Sequence, residues 1–227
     1  MKVISTFPFI FLFIYAPFLR FSGVTFHLPY FVILFLSAFG ILSVLKDKNL
    51  IFPVSVLLEF FLILIFYATI VSYLKQSFDR DFYYSVFSGV FVVMAALGVS
   101  LIYDKAYGEN STSSLTWHLF YAGVIHSIIM IVVFFSDTVS SMLYSIIPLT
   151  DKGQHFVDMG IRSPGLTSGG GDSLSGIQGL FAILGFYTLL RTWKDLKLAE
   201  VVAVIVGLYL ILASLARISH EGIKESG

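Results

Sequence analysis

Three consecutive stretches, Leu28 to Leu45, Leu50 to Leu74 and Phe82 to Tyr103, run on with Glu59 as the only charge inside them. Lys46, Lys48, Lys75, Arg80, Asp104 and Lys105 fall at their edges. A helix needs ~20 mostly apolar residues to cross the ~30 Å hydrocarbon core of a bilayer, and each stretch has about that length. Composition agrees, because 57% of residues are hydrophobic, 12% are charged and the mean hydropathy is +0.91. A soluble domain carries about 25% charged residues, so this chain has too few to solvate a globule this apolar. The expected fold is all-α, a polytopic membrane helix bundle with about seven transmembrane helices and one longer external loop.

The other spans are read from the same length rule. Phe7 to Leu19 is preceded only by Lys2 and lacks a small-x-small cleavage site, so it is expected to be a helix and not a removed signal peptide. Pro8 and Pro17 lie near its ends, where a lost backbone hydrogen bond costs least. Residues 116–136, 173–190 and 198–216 complete seven helices, which puts the termini on opposite sides of a single domain, 1–227. Residues 137–172 form the only long connection, and a long loop usually signals function or disorder. Val139, Met142, Leu143, Ile146 and Ile147 make an apolar stripe at helical spacing, predicting a short interfacial helix over 138–148 that Pro148 ends. Leu149 to Asp172 is polar and glycine-rich, and no internal repeat is present.

Net charge is zero and there is no basic run, which argues against nucleic acid as a partner. The absence of cysteine removes disulfides, thiolate zinc sites and thiol nucleophiles. Charge counting is balanced at seven Lys and Arg on each side of this topology. Discounting Lys152 and Arg162 in the long loop leaves seven against five, which predicts a cytoplasmic N-terminus.

Chemistry is sought first in the segment Arg162-Ser163-Pro164-Gly165-Leu166-Thr167-Ser168-Gly169-Gly170-Gly171-Asp172. Glycines let backbone N–H groups approach a ligand, a helix N-terminus favours anions, and Arg162 offers a planar fork suited to phosphate. The alternative is a flexible loop with Asp172 or Ser173 as an ordinary helix cap. Glu59 lies roughly 13 Å along its helix, near mid-membrane, where a carboxylate is either functional or neutral and bonded to a neighbouring helix. His118 and His126 are eight residues apart and share a helix face. They are too distant to bind one metal together, so no metal site is expected, and interhelical hydrogen bonding competes with a proton relay. Asn110, Ser111 and Thr112 match a glycosylation sequon, read here as a polar loop. Ser214-Leu215-Ala216-Arg217-Ile218-Ser219-His220 brings a second arginine to the side of the membrane that holds Arg162, where a snorkelling helix-end arginine is the alternative.

Arg-x-x-Gly-Leu-Thr-Ser-Gly-Gly at Arg162 to Gly170, followed by two apolar helices and by Arg217 after small residues, resembles the bacterial O-antigen and capsule polymerases of the Wzy type and their ligase relatives. The resemblance spans roughly residues 116–219. It departs from the family at Ala216-Arg217-Ile218-Ser219, where a Ser-Arg-small-Gly pattern is common. The further helices and second large external loop of the family are also missing, so the chain is expected to be an N-terminal portion or truncated member that does not polymerise alone. The resemblance implies a multi-pass protein of the bacterial inner membrane that joins undecaprenyl-diphosphate-linked glycan repeats at its outer face. Membrane lipid and other polysaccharide assembly proteins are the implied partners, with no cofactor. Arg162, Gly169, Gly170, Gly171 and Arg217 would bind the diphosphate, and His155 and His220 are the candidate bases for the acceptor hydroxyl. The competing class is a non-enzymatic permease or flippase component working through Glu59, His118 and His126.

Overall fold

The computed structural model describes residues 6–21, 24–47, 51–75, 80–158, 165–167, 172–192 and 196–216. They are overwhelmingly helical: α1 Phe7–Tyr15, α2 Leu28–Lys46, α3 Ile51–Lys75, α4 Arg80–Tyr107, α5 Ser111–Phe135, α6 Asp137–Ile146, α7 Asp151–Asp158, α8 Asp172–Thr192 and α9 Leu198–Ala216. Two short strands, β1 Phe18–Phe21 and β2 Val24–His27, pair antiparallel between α1 and α2. Leu28–Lys46, Val54–Lys75 and the continuous run Phe82–Phe135 are long and apolar enough to cross a membrane. The run is broken at a 3-10 turn, Gly108–Asn110, where Gly108 takes the left-handed φ of 57° that a side chain would resist.

The first helix is shorter than the 7–19 read from the sequence. Pro17 disfavours helical backbone at the residue before it, and Ala16 accordingly leaves the helix at φ −56°, ψ 120°. The nine residues of α1 are ~14 Å long, too short to cross a bilayer core as a single helix. The chain then enters the hairpin, with Phe18 opposite His27 and Phe21 opposite Val24. Its signals were in the sequence, since Ser22-Gly23 separates two short runs rich in aromatic and β-branched residues. The helix α6 occupies the stretch predicted for an interfacial helix, and the Ser136 side chain caps it by accepting from the Val139 N–H at 3.4 Å. Within the segment read as polar loop, α7 was not anticipated. The Thr150 hydroxyl caps it by accepting from the Gly153 N–H at 3.2 Å.

The chain divides into two compact units. One is Tyr30–Ala106, built from α2, α3 and α4. There the Ser37 hydroxyl donates to the Phe91 carbonyl at 2.6 Å, and α2 and α4 touch backbone to backbone at Gly40 and Gly98. The Phe61 ring of α3 lies against Gly89 of α4.

The other unit, Met1–Pro29 with Tyr107–Gly227, is organised around α5. Its core holds Tyr15, Phe120, Ala122, Met130, Phe181, Val204 and Ile211. Phe7 meets His118 edge-on at 5.6 Å and Tyr15 stacks on His126 at 4.1 Å, so α1 and α5 run parallel and in register. Along α8 the order reverses, with Gln178 at His126, Phe181 at Gly123 and Gly185 at Phe120, which makes α8 antiparallel to α5. In α9, Gly207 meets Phe120 and Ser214 meets Ser127, so α9 is again parallel to α5. The hairpin packs through β1 on α6.

Candidate functional site

The buried polar groups of the α5 unit gather around one side chain. His126, fully buried, presents its ring face to Tyr15 of α1, at an interplanar angle of 7°. Its Nδ1 lies 2.8 Å from the side-chain amide of Gln178 on α8. Its Nε2 accepts the backbone N–H of Leu166 at 3.4 Å. Three separate parts of the chain therefore meet on one imidazole of α5. A neutral imidazole has one donor and one acceptor, and a half-turn of the Gln178 amide exchanges its oxygen and nitrogen. The amide can thus match the tautomer that the Leu166 N–H selects.

The turn at Gly165 to Thr167 enters the bundle because Gly165 has no side chain. Its φ is 62°, and a Cβ there would lie 2.8 Å from Met130 Cγ and 2.9 Å from His126 Nε2. Any other residue would be strained by the backbone angle and expelled by the contacts. Gly165 is buried, and Leu166 packs against the core that contains Tyr15 and Met130. The glycine-rich segment read as an external loop thus has Gly165 inside the bundle.

Two more observations complete the site. The hydroxyls of Ser127 and Ser214 lie 3.2 Å apart, both residues buried, and tie the last turn of α9 to α5 one residue beyond His126. Among the described residues, the buried Tyr15 hydroxyl has no hydrogen-bond partner.

His118 sits on the same face of α5 as His126, as its spacing required, but in other company. It is edge-on to Phe7 and to Tyr107, the latter at 5.9 Å, and the Tyr107 hydroxyl lies 2.6 Å from Thr6 Oγ1. Glu59 projects an exposed side chain from α3 in the other unit. His155 is exposed on α7, and Asn110 is exposed in the 3-10 turn. Arg162, Gly169, Gly170, Gly171, Arg217 and His220 lie outside the described residues, as do the side chains of Asp172 and Ser173. Among the described residues, no three His, Cys, Asp or Glu come together as a metal site. Sequence reasoning missed Tyr15, Ser127 and Gln178. The available signal was a glutamine inside an apolar helix, which warrants the same question asked of Glu59.

Comparison of the chain with protein-family models, with curated proteins and with solved structures gives no match.

Proposed function

We propose that this chain is a member of the polysaccharide polymerases of the O-antigen or capsule type, whose reaction uses undecaprenyl-diphosphate-linked repeat units at the outer face of a bacterial inner membrane. The observation that carries the reading is the placement of two anchors. The motif loop is held at Gly165, three residues after Arg162, and the second motif is held at Ser214, three residues before Arg217. These anchors rest on consecutive residues of α5, His126 and Ser127. Segments 40 and 87 residues from that point in sequence return to one level of one helix.

Helix directions support the proposed topology. α1 and α5 are parallel, and three crossings by α2, α3 and α4 between them return the chain to the direction of α1. The N-terminus is cytoplasmic in this reading, and α5 and α9 both end at the periplasmic face, where α6 lies in the interface.

In the reaction proposed, the acceptor sugar hydroxyl attacks the anomeric carbon of the growing glycan. A carbon–oxygen bond to that hydroxyl forms, the bond to the diphosphate breaks, and undecaprenyl diphosphate departs with the electron pair. Arg162 and Arg217 stabilise the departing charge. His155 or His220 takes the hydroxyl proton. The described groups that meet His126 are Tyr15, Gln178 and the Leu166 N–H, with no Lys or Arg among them, so its part is to hold the loop and not to balance the diphosphate charge.

A photoreactive undecaprenyl-diphosphate glycan tests the assignment. Cross-links are expected on peptides containing Arg162 or Arg217, displaced by unlabelled undecaprenyl diphosphate. Cross-links confined to α2, α3 and α4, or displaced equally well by undecaprenol, would point to a permease path instead.

A further inference from the structure

We infer that His126 is a positioning residue, a latch that fixes the glycine-rich loop by accepting the Leu166 backbone N–H while Gln178 holds its ring from the other side. The part that concerns lipid diphosphate rests on the reading above; the latch itself rests on geometry alone.

Packing does not account for this arrangement. A residue that only filled the α1–α5–α8 junction would be apolar, as Phe120 and Phe181 are elsewhere in the same core. Here the buried ring spends both nitrogens on hydrogen bonds, and they lead to different elements, Nδ1 to α8 and Nε2 to the loop. The stacked Tyr15 ring closes one face and limits tilting. Gly165 at φ 62° brings the loop backbone against the ring edge, which puts the Leu166 N–H within reach. The Leu166 N–H is half-buried against the core, so losing its acceptor leaves it poorly satisfied there and favours withdrawal of the turn toward water. The place of Leu166 in the turn then depends on Nε2.

The two ring nitrogens can be tested apart. An asparagine amide reaches the place of Nδ1 and a glutamine amide reaches the place of Nε2. His126→Gln therefore keeps an acceptor for Leu166, whereas His126→Asn keeps only the contact with Gln178. The chain has no cysteine, so Thr167→Cys is a single reporter on the turn, half-buried in the parent. The rate of maleimide labelling of Thr167→Cys in membranes should rise about fivefold or more in the His126→Asn background and stay near the parent rate with His126→Gln. Gly165→Ala leaves His126 intact and should raise labelling by expelling the turn. Helical circular dichroism and the thermal transition of each variant separate release of the loop from loss of fold.

Equal labelling of the Asn and Gln variants, with both folded, would overturn the latch, because a packing role does not distinguish the two nitrogens. Undecaprenyl-diphosphate binding to the same variants separates the two proposals. Weaker binding with His126→Asn and recovery with His126→Gln supports both. Faster labelling with unchanged binding keeps the latch and refutes the diphosphate reading.

Discussion

Replacing Gly40 by alanine should destabilise the α2–α3–α4 unit by about 2 kcal/mol net, and the structure shows where the cost arises. A Cβ at Gly40 would lie 2.3 Å from the Met94 carbonyl oxygen, and one at Gly98 would lie 2.3 Å from the Leu36 carbonyl oxygen. Carbon–oxygen contacts between packed backbones settle near ~3.3 Å, so the helices must separate by about 1 Å. Neither oxygen belongs to a side chain that could swing away. Overpacking of this kind costs ~1–3 kcal/mol. The same separation stretches the 2.6 Å bond from Ser37 to the Phe91 carbonyl beyond useful length, adding about 1 kcal/mol. Alanine's better helix propensity returns about 1 kcal/mol. Gly176→Ala and Gly179→Ala have open space around the new methyl, so only the favourable term applies and both should stabilise. Thermal unfolding of purified protein in detergent, followed by helical circular dichroism, measures the sign of each change. Combining Gly40→Ala with Gly98→Ala should cost less than the sum, because the first substitution has already parted the helices. The reasoning fails if Gly40→Ala is as stable as the parent or follows Gly176→Ala.

Other expectations use the same assay or a simple reporter. Gly185→Ala places a Cβ 2.3 Å from Phe120 Cδ2, and Gly207 blocks the ring's retreat, so a loss of ~1–3 kcal/mol is expected, relieved when Phe120→Leu is added. Tyr15→Phe removes a hydroxyl that has no partner among the described residues and keeps the stack on His126, so it should be neutral or stabilising by up to about 1 kcal/mol; a clear loss of stability would reveal a partner for that hydroxyl. A periplasm-dependent reporter fused after Lys152 should be active and one after Lys105 silent, and the reverse pattern would invert the proposed topology.

The helices were legible where a long apolar run meets charges at both ends, as in α2, α3 and α4, because the hydrophobic length rule is nearly independent of tertiary context. The end of α1 was legible in principle from Pro17, yet the apolar run continued through Leu19 and hid the change to extended backbone. The short helix α7 escaped because Gly153 lowers its propensity and the Thr150 cap carries most of its signal. At the site, the periodicity of α5 placed His118 and His126 on one face, but nothing in that spacing separates their roles. His126 differs because α1, α8 and the Gly165 turn converge on it, and those are contacts between residues 40, 52 and 111 positions apart. Gly165 illustrates the limit most clearly. Its neighbourhood reads as a solvent-exposed glycine-rich loop, whereas its positive φ and lack of a side chain serve a buried contact.

The central claim, that the Arg162 loop binds a lipid diphosphate, is tested most directly by the affinity of the purified protein for undecaprenyl diphosphate. Arg162→Ala should weaken binding at least about tenfold, as expected for losing a charge-assisted bidentate contact, and Arg162→Lys should fall between that variant and the parent because it keeps the charge without the fork. If Arg162→Ala binds undecaprenyl diphosphate as tightly as the parent does, the claim is contradicted.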